Sequence, residues 1–165
     1  MPAIAMTAHA ITIDAKSNSP ILILKERGGE RALPIWIGLL EATAIATEME
    51  KIEFARPMTH DLALNLLAAL GARITRIVVN DLRDNTYYAL ITLEKDGEVL
   101  EVDARPSDAV ALALRAGAEI FVEEAVLAKS VPSREGTEAS ADSDKADKWL
   151  EILEGLDPEA FKYKM

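Results

Sequence analysis

Apolar and polar positions alternate from the start of the chain. Ile4, Met6, Ala8 and Ala10 share one parity, then Ile11 and Ile13 break it. This predicts a first strand whose register slips near its middle. After Ser17-Asn18-Ser19-Pro20, the run Ile21–Lys25 is nearly continuous in apolar residues, as in a central strand buried on both faces. Gly28-Gly29 predicts a hairpin, because glycine tolerates the positive φ angles of tight hairpin turns. Arg31–Ile37 is then the returning strand.

At Gly38 the period changes from two to that of a helix. Leu40, Ala44, Ile45, Met49 and Ile52 fall on one stripe, and Pro57 ends the segment. Thr59 then reads as an N-cap with Asp61 in the first turn, Leu62, Leu66, Leu67 and Leu70 as the apolar face, and Gly71 as the C-terminal glycine. Ile74–Asn80, Thr86–Lys95 and Glu98–Asp103 alternate and are rich in β-formers, with Asp96-Gly97 as a type I′ turn. Ser107 reads as the cap of a third helix running to Arg115, with Gly117 just beyond it. Glu119–Val122 is a last strand. The order β-β-β-α-α-β-β-β-α-β is an α+β domain built on a mixed sheet, assigned to residues 1–128. Residues 129–144 change to Ser, Gly and acids and read as a flexible linker. In residues 145–165, Trp149, Leu150, Ile152, Leu153 and Leu156 outline a short amphipathic C-terminal helix.

Composition narrows the chemistry. The chain has 165 residues, half of them hydrophobic, and a net charge of −10. Such a surface repels a phosphate backbone at long range, so tight metal-free binding of nucleic acid is disfavoured unless an Arg-lined cleft or a bound divalent cation offsets it. There is no Cys, which excludes disulfides, thiolate zinc sites and Cys nucleophiles. No apolar run is long enough to span a membrane, and Met1–Ala10 lacks the basic start of a signal peptide. A cytoplasmic protein with no membrane partner is expected. Free sheet edges and the Trp149 helix both need cover, which favours a homo-oligomer, most simply a dimer.

Two strings repeat a theme: Arg56-Pro57-Met58-Thr59-His60-Asp61 and Arg105-Pro106-Ser107-Asp108. Each sets Arg-Pro ahead of a hydroxyl and an Asp. The plain reading is two well-made helix starts with Arg–Asp ion pairs. The functional one is that both starts converge on one cleft suited to an anion such as phosphate. Glu41, Asp103 and Asp108 are then candidate ligands for Mg²⁺ or Mn²⁺. Asp61 lies close enough in the pattern to join them. His60 could manage a proton or serve only as a hydrogen bond at a helix entrance. His9 reads as structural or solvent-facing. Walker, dinucleotide-binding, zinc-protease, serine-hydrolase and EF-hand motifs are all missing. Trp36 and Tyr87-Tyr88 fit a core or an interface better than a base-stacking platform.

Leu33-Pro34-Ile35-Trp36-Ile37-Gly38 with Glu41-Ala42, Arg56-Pro57-Met58-Thr59-His60-Asp61-Leu62, and Asp103-Ala104-Arg105-Pro106-Ser107-Asp108-Ala109 together resemble the bifunctional nuclease domain family. The likeness runs from the first strand to Val126, and the tail resembles that of bacterial members. The resemblance implies hydrolysis of phosphodiester bonds in DNA and RNA with little sequence preference. Matched to these strings, the candidate catalytic residues are His60, Asp61, Asp103 and Asp108. Arg56, Arg105 and Ser107 would bind substrate, and Glu41, Asp103 and Asp108 would hold the metal. The competing expectation is a non-catalytic regulatory or scaffolding module, or a small-anion or nucleotide binder, that uses the same Arg and Asp helix ends.

Overall fold

The parity break in the first strand is a β-bulge. In the computed structural model, which describes residues 2–130, β1 (Ala3–Ile13) pairs antiparallel with β2 (Pro20–Glu26), and the register shifts between Ala8 and Ala10. His9 sits in that shift and is exposed. β3 (Ala32–Trp36) continues the meander, followed by α1 (Leu39–Met49) and α2 (Thr59–Ala69). Next come β4 (Ala72–Arg83), β5 (Thr86–Lys95), β6 (Glu98–Ala104), α3 (Pro106–Ala116), β7 (Glu119–Glu123) and α4 (Glu124–Ser130). The seven strands form one mixed sheet in the order β3-β2-β1-β7-β4-β5-β6. Only β4 and β7 run parallel. The last strand thus inserts at the centre, joining two antiparallel meanders.

Turn chemistry accounts for the hairpins. Asp96 and Gly97 both have positive φ (52° and 80°), as a type I′ turn requires. Asp84 and Asn85 do the same between β4 and β5, using the two non-glycine residue types that best tolerate that region. α3 ends on Gly117 in the left-handed conformation, φ 66°.

Alternation overstates burial in places. β2 is second from the sheet edge and alternates between buried and half-buried residues, so it is not covered on both faces. Leu40 is 81% exposed, and α1 instead turns Ala42, Ile45 and Ala46 inward. On α2 the inward side chains are Leu64 and Leu67, which leaves Leu62, Leu66 and Leu70 exposed. Trp36 is no core residue: it is 55% exposed on the edge strand β3. α4 was not foreseen. It buries Val126 and Leu127 and includes Lys129 and Ser130, so chain expected to begin the linker is helical there. The remaining linker and the tail helix lie outside the described residues.

The core lies between one sheet face and the helices. Ile77, Val79, Ala89, Ile91, Ile120 and Val122 meet Ile45 and Val110 there. α3 is the central helix, touching α1, α2, β4, β5 and β7. Its inward residues Ala109, Ala111 and Ala113 are small, so neighbouring elements approach closely. Among the described residues no helix is long and apolar enough to cross a membrane.

Candidate functional site

Three helices begin beside one another, and each carries an acid as its third residue. With caps at Gly38, Met58 and Arg105, these are Glu41, Asp61 and Asp108. That position is where a carboxylate complements the helix dipole and reaches free amides. Thr59 and Ser107 are therefore not the caps: they are the first and second residues of their helices, and neither helix has a side-chain hydrogen bond from its cap. Asp61 Oδ2 reaches back to accept the N–H of the cap residue Met58 at 3.0 Å.

The repeated Arg-Pro strings sit in different helical registers. Arg105 is itself the cap and Pro106 the first helical residue, whereas Pro57 precedes its cap and Arg56 stands a further residue out. The two guanidinium groups therefore do not share a cleft. Arg105 lines a cleft of about 250 Å³ with Trp36, Glu41, Tyr87 and Ser107. Arg56 lines a cavity of about 360 Å³ with Glu48, Glu53, Asp61, Asn65 and Arg115. The smaller one borders the more connected chemistry.

That chemistry is a chain of four side chains from three helix starts. His60 Nε2 lies 3.0 Å from Asp108 Oδ1. Arg105 Nε donates to the other oxygen of the same carboxylate at 2.9 Å, with Nη2 in ion-pair contact with it at 2.8 Å. Arg105 Nη1 reaches Glu41 Oε1 at 2.9 Å. Gly38 makes room for this, since a Cβ there would collide with Glu41 Oε2. Burial works to raise the Asp108 carboxyl, but the hydrogen bonds from His60 and Arg105 outweigh it and hold the group below the usual range. Glu41 is lowered by its own backbone N–H and then by Arg105. Arg105 is raised in turn by Glu41 and Asp108.

These shifts fix the histidine's hydrogen. An ionised Asp108 only accepts, so Nε2 of His60 carries the proton that joins them. In the neutral ring Nδ1 is then an acceptor, and it has no hydrogen-bond partner among the described residues. An imidazole oriented by a carboxylate, with no partner on its far nitrogen among the described residues, has the donor–acceptor pattern of a general base.

The other expected residues lie apart. Asp61 Oδ1 accepts from Arg115 Nε at 3.0 Å. The Arg115 side chain is only 7% exposed and also donates to the carbonyls of Ala111 and Ala44. It ties α1, α2 and α3 together, a role invisible in the sequence because its partners lie up to 71 residues away. Asp103 is exposed on β6. Its neighbours Val102 and Ala104 pair with Ile91 and Ala89 of the core, so alternation turns Asp103 to the opposite face. Glu41, Asp103 and Asp108 therefore do not converge. No group of three or more metal-ligating side chains is assembled among the described residues. Glu41 and Asp108 instead share the Arg105 guanidinium as their cation. The donors as arranged do not fit Mg²⁺ or Mn²⁺.

Residues 22–134 match the bifunctional nuclease domain. The chain belongs to the bifunctional nuclease domain family. An uncharacterized protein of Mycobacterium tuberculosis is 43% identical over 157 residues, covering 92% of this chain and 94% of that relative. Bifunctional nuclease 2 of Oryza sativa subsp. japonica is 26% identical over 114 residues, covering 67% of this chain and 35% of the rice protein. Bifunctional nuclease 1 of Arabidopsis thaliana is 28% identical over 100 residues, 58% of this chain and 31% of the plant protein. The site lies wholly within the matched domain.

Proposed function

We propose that the protein is a nuclease that hydrolyses phosphodiester bonds of DNA and RNA with little sequence preference. The observation that carries this reading is the Asp108–His60 pair, joined through one carboxylate to an Arg105 whose side chain is 63% exposed. Names of the plant relatives and membership of the family support the same chemistry. His60 Nδ1 takes a proton from water, and the resulting hydroxide attacks phosphorus. The ester P–O bond breaks, the leaving oxygen takes a proton from solvent water, and His60 returns its proton to solvent. Arg105 sets its uncommitted N–H groups against the charge that builds on the phosphoryl oxygens. Asp108 keeps the imidazole in the correct tautomer. No step is assigned to a metal ion, since Glu41 and Asp108 would have to exchange Arg105 for it.

End-labelled single-stranded DNA and RNA, incubated with purified protein in Mg²⁺, Mn²⁺ or EDTA, test this directly. His60→Ala and Asp108→Asn, purified identically, are expected to fold and not cut. Equal cutting by all three proteins assigns the activity to a contaminant and overturns the reading. The non-catalytic alternative draws on the closed Glu41–Arg105–Asp108 network, which also suits a purely structural role; it predicts no cutting under any condition.

The same proposal includes a homodimer formed at the β6 edge. Among the described residues β6 has no outer neighbour in the sheet and exposes Val99, Leu100 and Val102, while α2 and its cap expose Met58, Leu62, Leu66 and Leu70. Ala72, Lys95 and Glu98 stand in register across β4, β5 and β6. The end of α2 is thus two strand spacings, roughly 10 Å, from the free edge. Leu100 and Val102 lie on the sheet face that Leu93 and Ile91 share with the core, the side on which α2 packs. A second copy paired edge to edge would bury both features together.

A further inference from the structure

We propose that the cleft bounded by Trp36, Tyr87 and Arg105 is a base-binding subsite, taking one unpaired nucleobase with its neighbouring phosphate on Arg105. The inference rests on the nuclease reading and names its substrate as single-stranded.

Trp36 is exposed yet anchored. Its indole N–H donates to Asp14 Oδ2 at 3.0 Å. Asp14 is itself fixed by the Lys16 N–H at 3.0 Å and the Ser17 hydroxyl at 2.9 Å. A large apolar ring held in place at a cleft wall is a preorganised contact surface, with little rotamer freedom left to lose on binding. Tyr87, half-buried on β5, lines the same cleft. Asn85 and Thr86, at the β4–β5 turn, add amide and hydroxyl groups able to meet a base edge.

A further feature points to a ligand. Ser107 is only 6% exposed and lines the cleft, and its hydroxyl makes no hydrogen bond among the described residues. Its Oγ is not one of the fully enclosed polar atoms, so the hydroxyl is reachable from the cleft and can donate to or accept from a ligand there. Arg105 hydrogen-bonds Asp108 through Nε and Glu41 through one Nη1 N–H, with Nη2 in ion-pair contact with Asp108. A guanidinium has five N–H groups, so donors remain for a phosphate oxygen.

Size and charge choose the class. About 250 Å³ falls below the ~300–1,000 Å³ of pockets for drug-sized ligands, which suits one base and not two. In a duplex the base faces are stacked and closed to side chains, whereas an unpaired base offers its face to an aromatic ring. With a net charge of −10, attraction to the backbone cannot supply the affinity. Stacking has to.

The test uses full-length protein in EDTA carrying Trp149→Phe, so that Trp36 is the one remaining tryptophan of two. Its fluorescence is followed during titration with a 12-mer of thymidylate, an abasic strand of equal length, a duplex, and thymidine monophosphate. The thymidylate strand should quench Trp36 and bind at least tenfold tighter than the abasic strand or the duplex. Anisotropy of a labelled strand should show Trp36→Ala weakening binding at least fivefold, with Trp36→Phe recovering most of it. The logarithm of the affinity should fall with the logarithm of salt with a slope near −0.7, as for about one neutralised phosphate on a single strand. Equal affinity for the abasic strand, or unchanged binding by Trp36→Ala, overturns the subsite. Mononucleotide binding as tight as the strand overturns its assignment to a polymer. Binding without cutting sinks the nuclease reading and leaves the subsite. Cutting with an unchanged KM in Trp36→Ala does the reverse.

Discussion

His60 and Asp108 meet at 3.0 Å across 48 residues of sequence, each from the first turn of a different helix. The contact orients a histidine that is only 19% exposed in its side chain. It also locks two helix starts together, so mutations there must be read for folding and for chemistry at once. Asp108→Asn separates the two. The amide keeps the shape and a hydrogen bond, but it removes the charge that fixes the ring's tautomer. Cutting should fall by about 10²–10⁴-fold, the usual contribution of general base catalysis, with the melting temperature nearly preserved. Single-turnover cleavage alongside thermal unfolding checks this. A loss of activity that tracks a loss of fold would make the pair structural.

The two carboxylates that meet arginines should behave differently. Asp61 holds Arg115, a guanidinium almost wholly buried, whereas Glu41 holds an Arg105 that is mostly exposed. Stranding a buried charge costs about 3–5 kcal/mol, while an exposed ion pair contributes at most about 1 kcal/mol. Asp61→Ala should therefore destabilise the fold severely, and Glu41→Gln hardly at all. Urea denaturation of both variants measures the contrast; equal destabilisation would show that exposure has been misjudged as the deciding factor.

Most of the fold was legible because local patterns carry it. Asp96-Gly97 has no good alternative to a tight turn, and the parity break before Ile11 marks the bulge without reference to anything distant. Helix faces were less legible. Leu62, Leu66, Leu67 and Leu70 read as one core stripe, and no local signal says that of these only Leu67 turns inward, joined by Leu64. The site divided in the same way. Glu41, His60, Arg105 and Asp108 could be nominated from helix starts, but the registers of the two Arg-Pro strings differ, and that decides why Arg56 goes elsewhere. Asp103 was misleading because one step along a strand changes its face. Trp36 read as core or interface because β3 is apolar, and only the strand order makes β3 an edge and so excludes the core.

Acid should weaken the fold through identified groups. Asp108 and Glu41 have carboxyls held below their ordinary values. A lowered folded value means that the stabilisation is present above the unfolded carboxylate range, about 3.9–4.3, and is lost as pH falls through the lower folded values. Stability should be level from pH 7 to about 5 and decline below about 4. Asp108→Asn and Glu41→Gln should each flatten part of that decline. Urea midpoints from pH 7 to 2.5 measure it, and an unchanged slope in both variants would remove these two groups from the account.

Gly38 offers a test of how the site is built. Its φ of −78° suits any residue, so Gly38→Ala strains no backbone. The added methyl instead meets the Glu41 carboxylate, the far end of a flexible side chain that can swing away. Glu41 should then release Arg105, with little loss of stability because that ion pair is largely exposed. A freed Arg105 keeps Asp108 and gains an uncommitted donor at the cleft. Phosphate-bearing ligands should bind equally well or better, while the Glu41 contribution to the acid decline disappears. If Gly38→Ala costs several kcal/mol instead, close packing at the start of α1, and not the Glu41–Arg105 pair, is what the glycine serves.

The α2 stripe and the β6 edge should fail together if they form one interface. Leu66 and Leu70 are 57% and 68% exposed, so replacing both with Glu removes little from the core. In a dimer the same change buries four like charges, and like-charge contacts at an interface cost several kcal/mol. Sedimentation velocity should show the parent chain as a dimer and Leu66→Glu/Leu70→Glu as a folded monomer. A Val102→Lys variant on β6 should do the same, since a lysine on an edge strand blocks edge pairing. Dissociation by the α2 pair but not by Val102→Lys would place the interface on the helix alone. A parent chain that is already monomeric at micromolar concentration would dismiss the dimer altogether.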